Sequence, residues 1–229
     1  MELSLKNYIK RFTILIIGLV VCAYGCATTV NAHMGLSPWD MLSDGLSKQL
    51  TNFFGREIMI GTLTQIIGII VLAADVLMKE KIGFGTILNI ALIGHFTNVF
   101  LKSNLLLSSQ NLFLRFVIMV IGFVILGFGI YFYMLSGLGA GPRDSFMLAL
   151  ARRKIPVSTA KNSMEFFAFV TGFIAGGEMG IGTVVAVFIM GYILKYVFRL
   201  FNFDMTQVKH ESVFDTLKNL KVIVLKQNA

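Results

Sequence analysis

Charge is scarce in this sequence. Asp, Glu, Lys and Arg make up 14% of its 229 residues and hydrophobic side chains 56%. With a mean hydropathy of +0.78, there is too little polar surface to coat a soluble domain of this size, which places the chain in a membrane. Cysteine and histidine are also rare. Cys22 and Cys26, the only two cysteines, lie one turn apart on one helix face, a poor geometry for a disulfide and a weak metal site. Helix packing by small side chains is the expected role. His33, His95 and His210 fall in unrelated places, so no zinc spacing arises. No Gly-x-Ser-x-Gly elbow or phosphate-binding loop is present either. Neither catalysis nor a cofactor or metal is therefore expected.

What the sequence has in abundance is long apolar runs. Six are near the 20 residues that a bilayer-spanning helix needs: about Phe12 to Val30, Ile58 to Met78, Phe84 to Leu101, Phe116 to Leu135, Val157 to Ala175 and Ile181 to Phe198. A signal peptide is the competing reading of the first run, but its length exceeds a signal core and no cleavage pattern follows, so it reads as a helix.

If the N-terminus is cytoplasmic, sixteen of the twenty basic residues fall on the inner side; only Lys48, Arg56, Lys102 and Arg115 fall outside. The positive-inside rule thus predicts that both termini are cytoplasmic. The net charge of +8 then needs no nucleic acid, because a basic tail against anionic lipid accounts for it.

Proline carries the most information. Of only three prolines, two sit in the same pattern, GLSPWD from Gly35 to Asp40 and GAGPRD from Gly139 to Asp144, 104 residues apart. At that offset Arg11, Phe12, Gly18, Gly25 and Leu46 also match Arg115, Phe116, Gly122, Gly129 and Leu150. The register then slips by seven. Gly83-Phe84-Gly85-Thr86 aligns with Gly180-Ile181-Gly182-Thr183, and Gly94 with Gly191. The sequence therefore predicts an all-α membrane protein of six transmembrane helices built as two inverted three-helix repeats, residues 1–104 and 105–201, followed by a basic amphipathic tail, 202–229. Three helices per copy put the second copy upside down relative to the first, as in many secondary transporters.

Each Gly-x-x-Pro-x-Asp motif reads as a helix start. Ser37 is the N-cap, Pro38 the first helical residue and Asp40 an acid that can reach the free amides; Gly141, Pro142, Arg143 and Asp144 repeat the layout. Short helices of about ten residues, Met41 to Leu50 and Ser145 to Lys154, are expected to follow. They either dip into the bundle, bringing their positive ends and the two aspartates together as a solute or ion site, or lie flat at the two surfaces. Sequence leaves both placements open.

The candidate solute-binding residues are Ser37, Pro38, Trp39, Asp40, Gly141, Pro142, Arg143, Asp144 and Glu165. Glu165 joins them because an acid at membrane depth is functional by default, with Lys161 one turn earlier as its partner. Gln65, Asn89 and His95 read more simply as interhelical hydrogen-bonding groups. Asp75, near the inner end of the second span, reads as a snorkelling or capping residue. The GFGT and GIGT elements make tight helix starts and are not nucleotide loops.

The pairing of GLSPWDMLSDGL with GLGAGPRDSFMLAL, and the GIGT before the last helix, resembles the YczE/YyaS/YitT family of bacterial multi-pass membrane proteins, most closely its YczE branch. The resemblance covers roughly residues 10 to 200. It implies a bacterial inner-membrane protein without the soluble C-terminal domain of the YitT branch, and says little about activity. The leading expectation is transport of a small solute or ion. The alternative is a non-transporting scaffold that binds a partner protein, and a polar cavity between the two motifs would separate them. The lipid bilayer is the expected surrounding in either case. Substrate, coupling ion and oligomeric state are not specified by the residues.

Overall fold

Nine helices and no strand make up the residues described by the computed structural model, 4–155, 157–205 and 207–227. They are α1 (Leu5–Asn31), α2 (Pro38–Phe54), α3 (Ile60–Leu77), α4 (Phe84–Lys102), α5 (Leu112–Leu135), α6 (Pro142–Arg152), α7 (Val157–Ile174), α8 (Ile181–Leu200) and α9 (Val213–Gln227). Five of these, α1, α3, α4, α5 and α8, are long and apolar enough to cross a membrane. Helix α7 has 18 residues but carries Lys161 and Glu165. The large apolar side chains left exposed, such as Ile69, Ile70, Phe166, Phe167 and Phe188, form the surface expected to meet lipid.

One expectation needs correction. Helix α2 runs for 17 residues, about 25 Å at 1.5 Å per residue, and is no half-helix of ten. Nothing after Leu50 breaks it until Gly55, whose left-handed φ of 64° ends the helix with its N–H on the Thr51 carbonyl. Helix α6, with 11 residues, does match the short length.

Helices α1 and α5 form the centre and run antiparallel. They approach so closely that a Cβ on Gly25 would lie 2.6 Å from the Leu126 nitrogen, and one on Gly129 would lie 2.5 Å from the Cys22 nitrogen. Glycine at both places lets two backbones meet, the usual means of association between membrane helices. Contacts then recur between residues matched in sequence. The Arg11 Nε donates to the Ser136 carbonyl at 2.7 Å, and Arg115 Nε to the Ala32 carbonyl at 2.8 Å. The Gly85 N–H donates to Leu138 O at 2.7 Å, and the Gly182 N–H to Met34 O at 2.6 Å. Gly35 and Gly139, with φ of 107° and 123°, occupy a backbone region that side chains disfavour. Helix α2 packs on α3, α7 and α8, whereas α6 packs on α7, α3 and α4.

The tail folds back on the bundle. Helix α9 buries Ile223 beside Tyr8, Leu15 and Met134.

Candidate functional site

The two proline motifs begin their helices in the predicted way. The Ser37 hydroxyl accepts from the Asp40 N–H at 3.4 Å and donates to the Asp40 carboxylate at 2.6 Å, so cap and acid hold each other. At the second motif a serine would crowd its neighbours. A Cβ on Gly141 would lie 2.7 Å from the Asn89 amide and 3.2 Å from the Tyr133 hydroxyl. Tyr133 supplies the missing partner instead, with its hydroxyl donating to the Asp144 carboxylate.

Both helix starts are enclosed. None of residues 38–47 of α2 and none of residues 142–150 of α6 is exposed, and Asp40 retains 8% of its accessible surface. Between them lies a cavity of about 170 Å³. Ser37, Pro38, Trp39, Asp40, Gly141, Pro142, Arg143, Asp144 and Glu165 all line it, so the structure brings every candidate residue to one place. The Arg143 guanidinium sits 4.5 Å from the centre of the Trp39 ring, a cation–π geometry. Thus Trp39 and Arg143, which hold the same place in the two motifs, join them. Arg143 is in the electrostatic field of Asp40 and Glu165. Glu165 feels Lys161 most strongly among charged neighbours, and lies within hydrogen-bonding reach of the Trp39 indole. Three acids and two bases therefore share the cavity.

Tyr133, Thr64 and Thr97 line the cavity as well, along with Asn89, Cys22 and Cys26; no spacing in the sequence pointed to Tyr133. Gln65 and His95 do not line it. Gln65 donates to the Ala91 carbonyl at 2.7 Å, and His95 is exposed beside Phe96. Asp75 departs from its expected capping role: it is 1% exposed, and neither carboxylate oxygen has a hydrogen-bonding partner among the described residues. No group of three His, Cys, Asp or Glu that could hold a metal ion occurs among the described residues, and both cysteines are free thiols.

The end of the bundle where α1 starts carries a strap. Glu211 receives Arg11 Nη1 at 2.6 Å and the Tyr8 hydroxyl at 2.8 Å, while its N–H donates to Gly137 O at 2.9 Å. The Val213 N–H reaches Ile82 O at 2.9 Å, and Lys81 pairs with Asp215 at 3.4 Å. Burial alone would raise Glu211, but the bonds from Arg11 and Tyr8 outweigh it and hold the carboxyl below its ordinary range. Burial, aided by Arg152 and Arg11, pushes His210 down to about 4, and neither ring nitrogen has a partner among the described residues.

Comparison with known proteins adds the family. Residues 9–199 match a family of unknown function, DUF6198. An uncharacterized protein of Haemophilus influenzae is 31% identical over 192 residues, 83% of this chain and 84% of that protein. The uncharacterized membrane protein YczE of Bacillus subtilis is 31% identical over 195 residues, 83% and 86% of the two chains. YyaS of the same organism is 27% identical over 184 residues, 78% and 87%. No solved structure matches the chain. Over nearly its whole bundle, therefore, the chain belongs to the DUF6198 family and is similar to the membrane protein YczE.

Proposed function

We propose that the chain is a transporter or permease for a small polar solute or ion in the bacterial inner membrane. The observation that carries this reading is the cavity between the two Gly-x-x-Pro-x-Asp motifs, lined by Asp40, Arg143, Asp144 and Glu165. Charge in a membrane interior is costly and is kept where a solute passes or binds. A scaffold has no use for such a cavity. Its size, below that of usual drug-sized sites, suits a small cargo.

The reading includes six crossings, with α7 as the sixth, and two inverted repeats. Support comes from the antiparallel crossing of α1 and α5 at matched glycines and from the reciprocal bonds of Arg11 and Arg115. A two-fold axis between antiparallel helices lies perpendicular to them, in the membrane plane, the arrangement of many secondary transporters. Both termini are placed in the cytoplasm, in keeping with the basic residues and with Tyr8 bonded to Asn219 at 3.1 Å.

The test is a screen of ions and metabolites for a rise in melting temperature of the purified protein, followed by uptake of each hit into proteoliposomes. Hits are expected to lose at least about tenfold in affinity in Asp40→Asn and Asp144→Asn, although a capping carboxylate alone contributes only about 0.3–1 kcal/mol to stability. Full binding and uptake by both variants would reduce the motif to a helix cap.

A further inference from the structure

Asp75 is the buried acid for which the cavity gives no use. It lies on α3 near its end, is 1% exposed, and its two oxygens have no partner among the described residues. A bare buried carboxylate costs several kcal/mol, so a proton or a cation must neutralise it. A metal ion would need several further oxygen ligands, and no group of three His, Cys, Asp or Glu that could hold one occurs among the described residues. A proton needs one oxygen.

The matched position in the second half makes the acid conspicuous. At the offset that aligns Gly83 with Gly180, Asp75 corresponds to Gly172. There a Cβ would lie 2.7 Å from the Leu42 nitrogen, so the twin position is closed by helix packing. The alignment holds in the backbone too, since Lys79 and Gly176, equally offset, both end their helices with positive φ, 60° and 80°.

Asp75 is also in the electrostatic field of other acids. Its electrostatic neighbours are Glu80, then Asp144. Asp144 lines the cavity and accepts from Tyr133; Glu80 receives Arg152 Nη1 at 2.6 Å near the strap, where His210 faces Arg152 and Arg11. The other elements packed on α3 contribute Asp40, Asp44 and Lys48 from α2, and His95 and Lys102 from α4; none of these is a neighbour of Asp75 in the same sense.

We infer that Asp75 is a proton-binding site, a buried acid on α3 in the electrostatic field of Glu80 and of the cavity acid Asp144. The proton binds and leaves as such, with no redox partner. The use of that proton, to drive a solute, rests on the transport reading; its binding at Asp75 does not.

The test is infrared difference spectroscopy of the purified full chain as pH is varied. The wild type is expected to show a carbonyl band of a protonated acid that vanishes in Asp75→Asn, a variant that resembles the neutral acid in shape and keeps wild-type melting temperature. In Asp144→Asn the band should titrate about half a pH unit or more lower, because a neighbouring negative charge is gone. Three results would overturn the inference: no band lost in Asp75→Asn, a band indifferent to Asp144, or a band removed by sodium at fixed pH. A solute screen without hits beside an intact Asp75 band would sink transport and leave the proton site; hits without the band would do the reverse.

Discussion

The two halves of the bundle, residues 1–104 and 105–201, share their backbone contacts and differ in the side chains set upon them. Both close on the partner half through an arginine to a carbonyl and through a glycine N–H to a carbonyl. Yet the first half presents Trp39 where the second presents Arg143, caps its acid with Ser37 where the second uses Tyr133, and buries Asp75 where the second has Gly172. The scaffold is therefore common and the chemistry is not. A site shared between two copies can be made directional only by such differences, because identical copies would offer a solute the same surface from either side.

The common part should break hardest. Gly25→Leu drives a side chain into the backbone of α5, and overpacking of this kind costs about 1–3 kcal/mol even where the neighbour can yield. Backbone cannot, so loss of monodisperse protein in size-exclusion chromatography is expected. Gly129→Leu should behave alike.

Next in size is the group that joins the halves. Arg143→Ala removes the cation that stacks on Trp39 and lies in the field of Asp40 and Glu165, an enclosed cation–π contact worth about 2 kcal/mol or more. Thermal unfolding should show it, and Arg143→Lys should recover only part, because an ammonium does not stack on Trp39 as a guanidinium does.

Arg11 and Arg115 are matched in sequence but not in surroundings. Arg11 holds both Ser136 and Glu211, while Arg115 holds the Ala32 carbonyl. Alanine should cost about 2–3 kcal/mol at Arg11 and about 1 kcal/mol at Arg115, read as separate melting temperatures; equal losses would show that the strap contributes nothing.

The strap should also respond to acid. His210, ordinarily near 6.5, is held down to about 4 in the fold, so between those values the unfolded chain binds the extra proton. Stability must fall as pH drops through that window, by about 3 kcal/mol. Glu211, held below its usual range, acts in the same direction and loses its contribution at still lower pH. His210→Gln should flatten the slope of melting temperature against pH between about 6.5 and 4.

The smallest effect is expected at Gly191. Sequence matches it with Gly94, but a Cβ there meets nothing within 4 Å, whereas one on Gly94 would strike the Gly61 carbonyl and Gln65. Gly191→Ala should leave the melting temperature unchanged and Gly94→Ala should lower it.

Much of the fold was legible because membrane helices announce themselves by composition and because glycine, proline and aspartate in register are hard to match by chance in an apolar chain. The helix starts at Pro38 and Pro142 followed from capping chemistry alone. The extension of α2 to Phe54 did not, since its stop is Gly55, five residues beyond the expected end at Leu50. Tyr133 was missed for a plainer reason: it sits in the apolar run of α5, eleven residues before Asp144, and nothing local marks it as a partner.

By itself the sequence determined that the chain lives in a membrane, that it carries one motif twice, and that each motif opens a helix. These are matters of composition and of neighbours along the chain, which short-range sterics and hydrogen bonding decide. Only the tertiary structure decided that both openings face one cavity, that Arg143 reaches across to Trp39, that Gly94 is crowded while Gly191 is free, and that Asp75 is buried with no hydrogen-bonding partner among the described residues. Each of those depends on which helix lies beside which, and in lipid that choice is made by close backbone approach between distant residues, information that no short stretch of sequence contains.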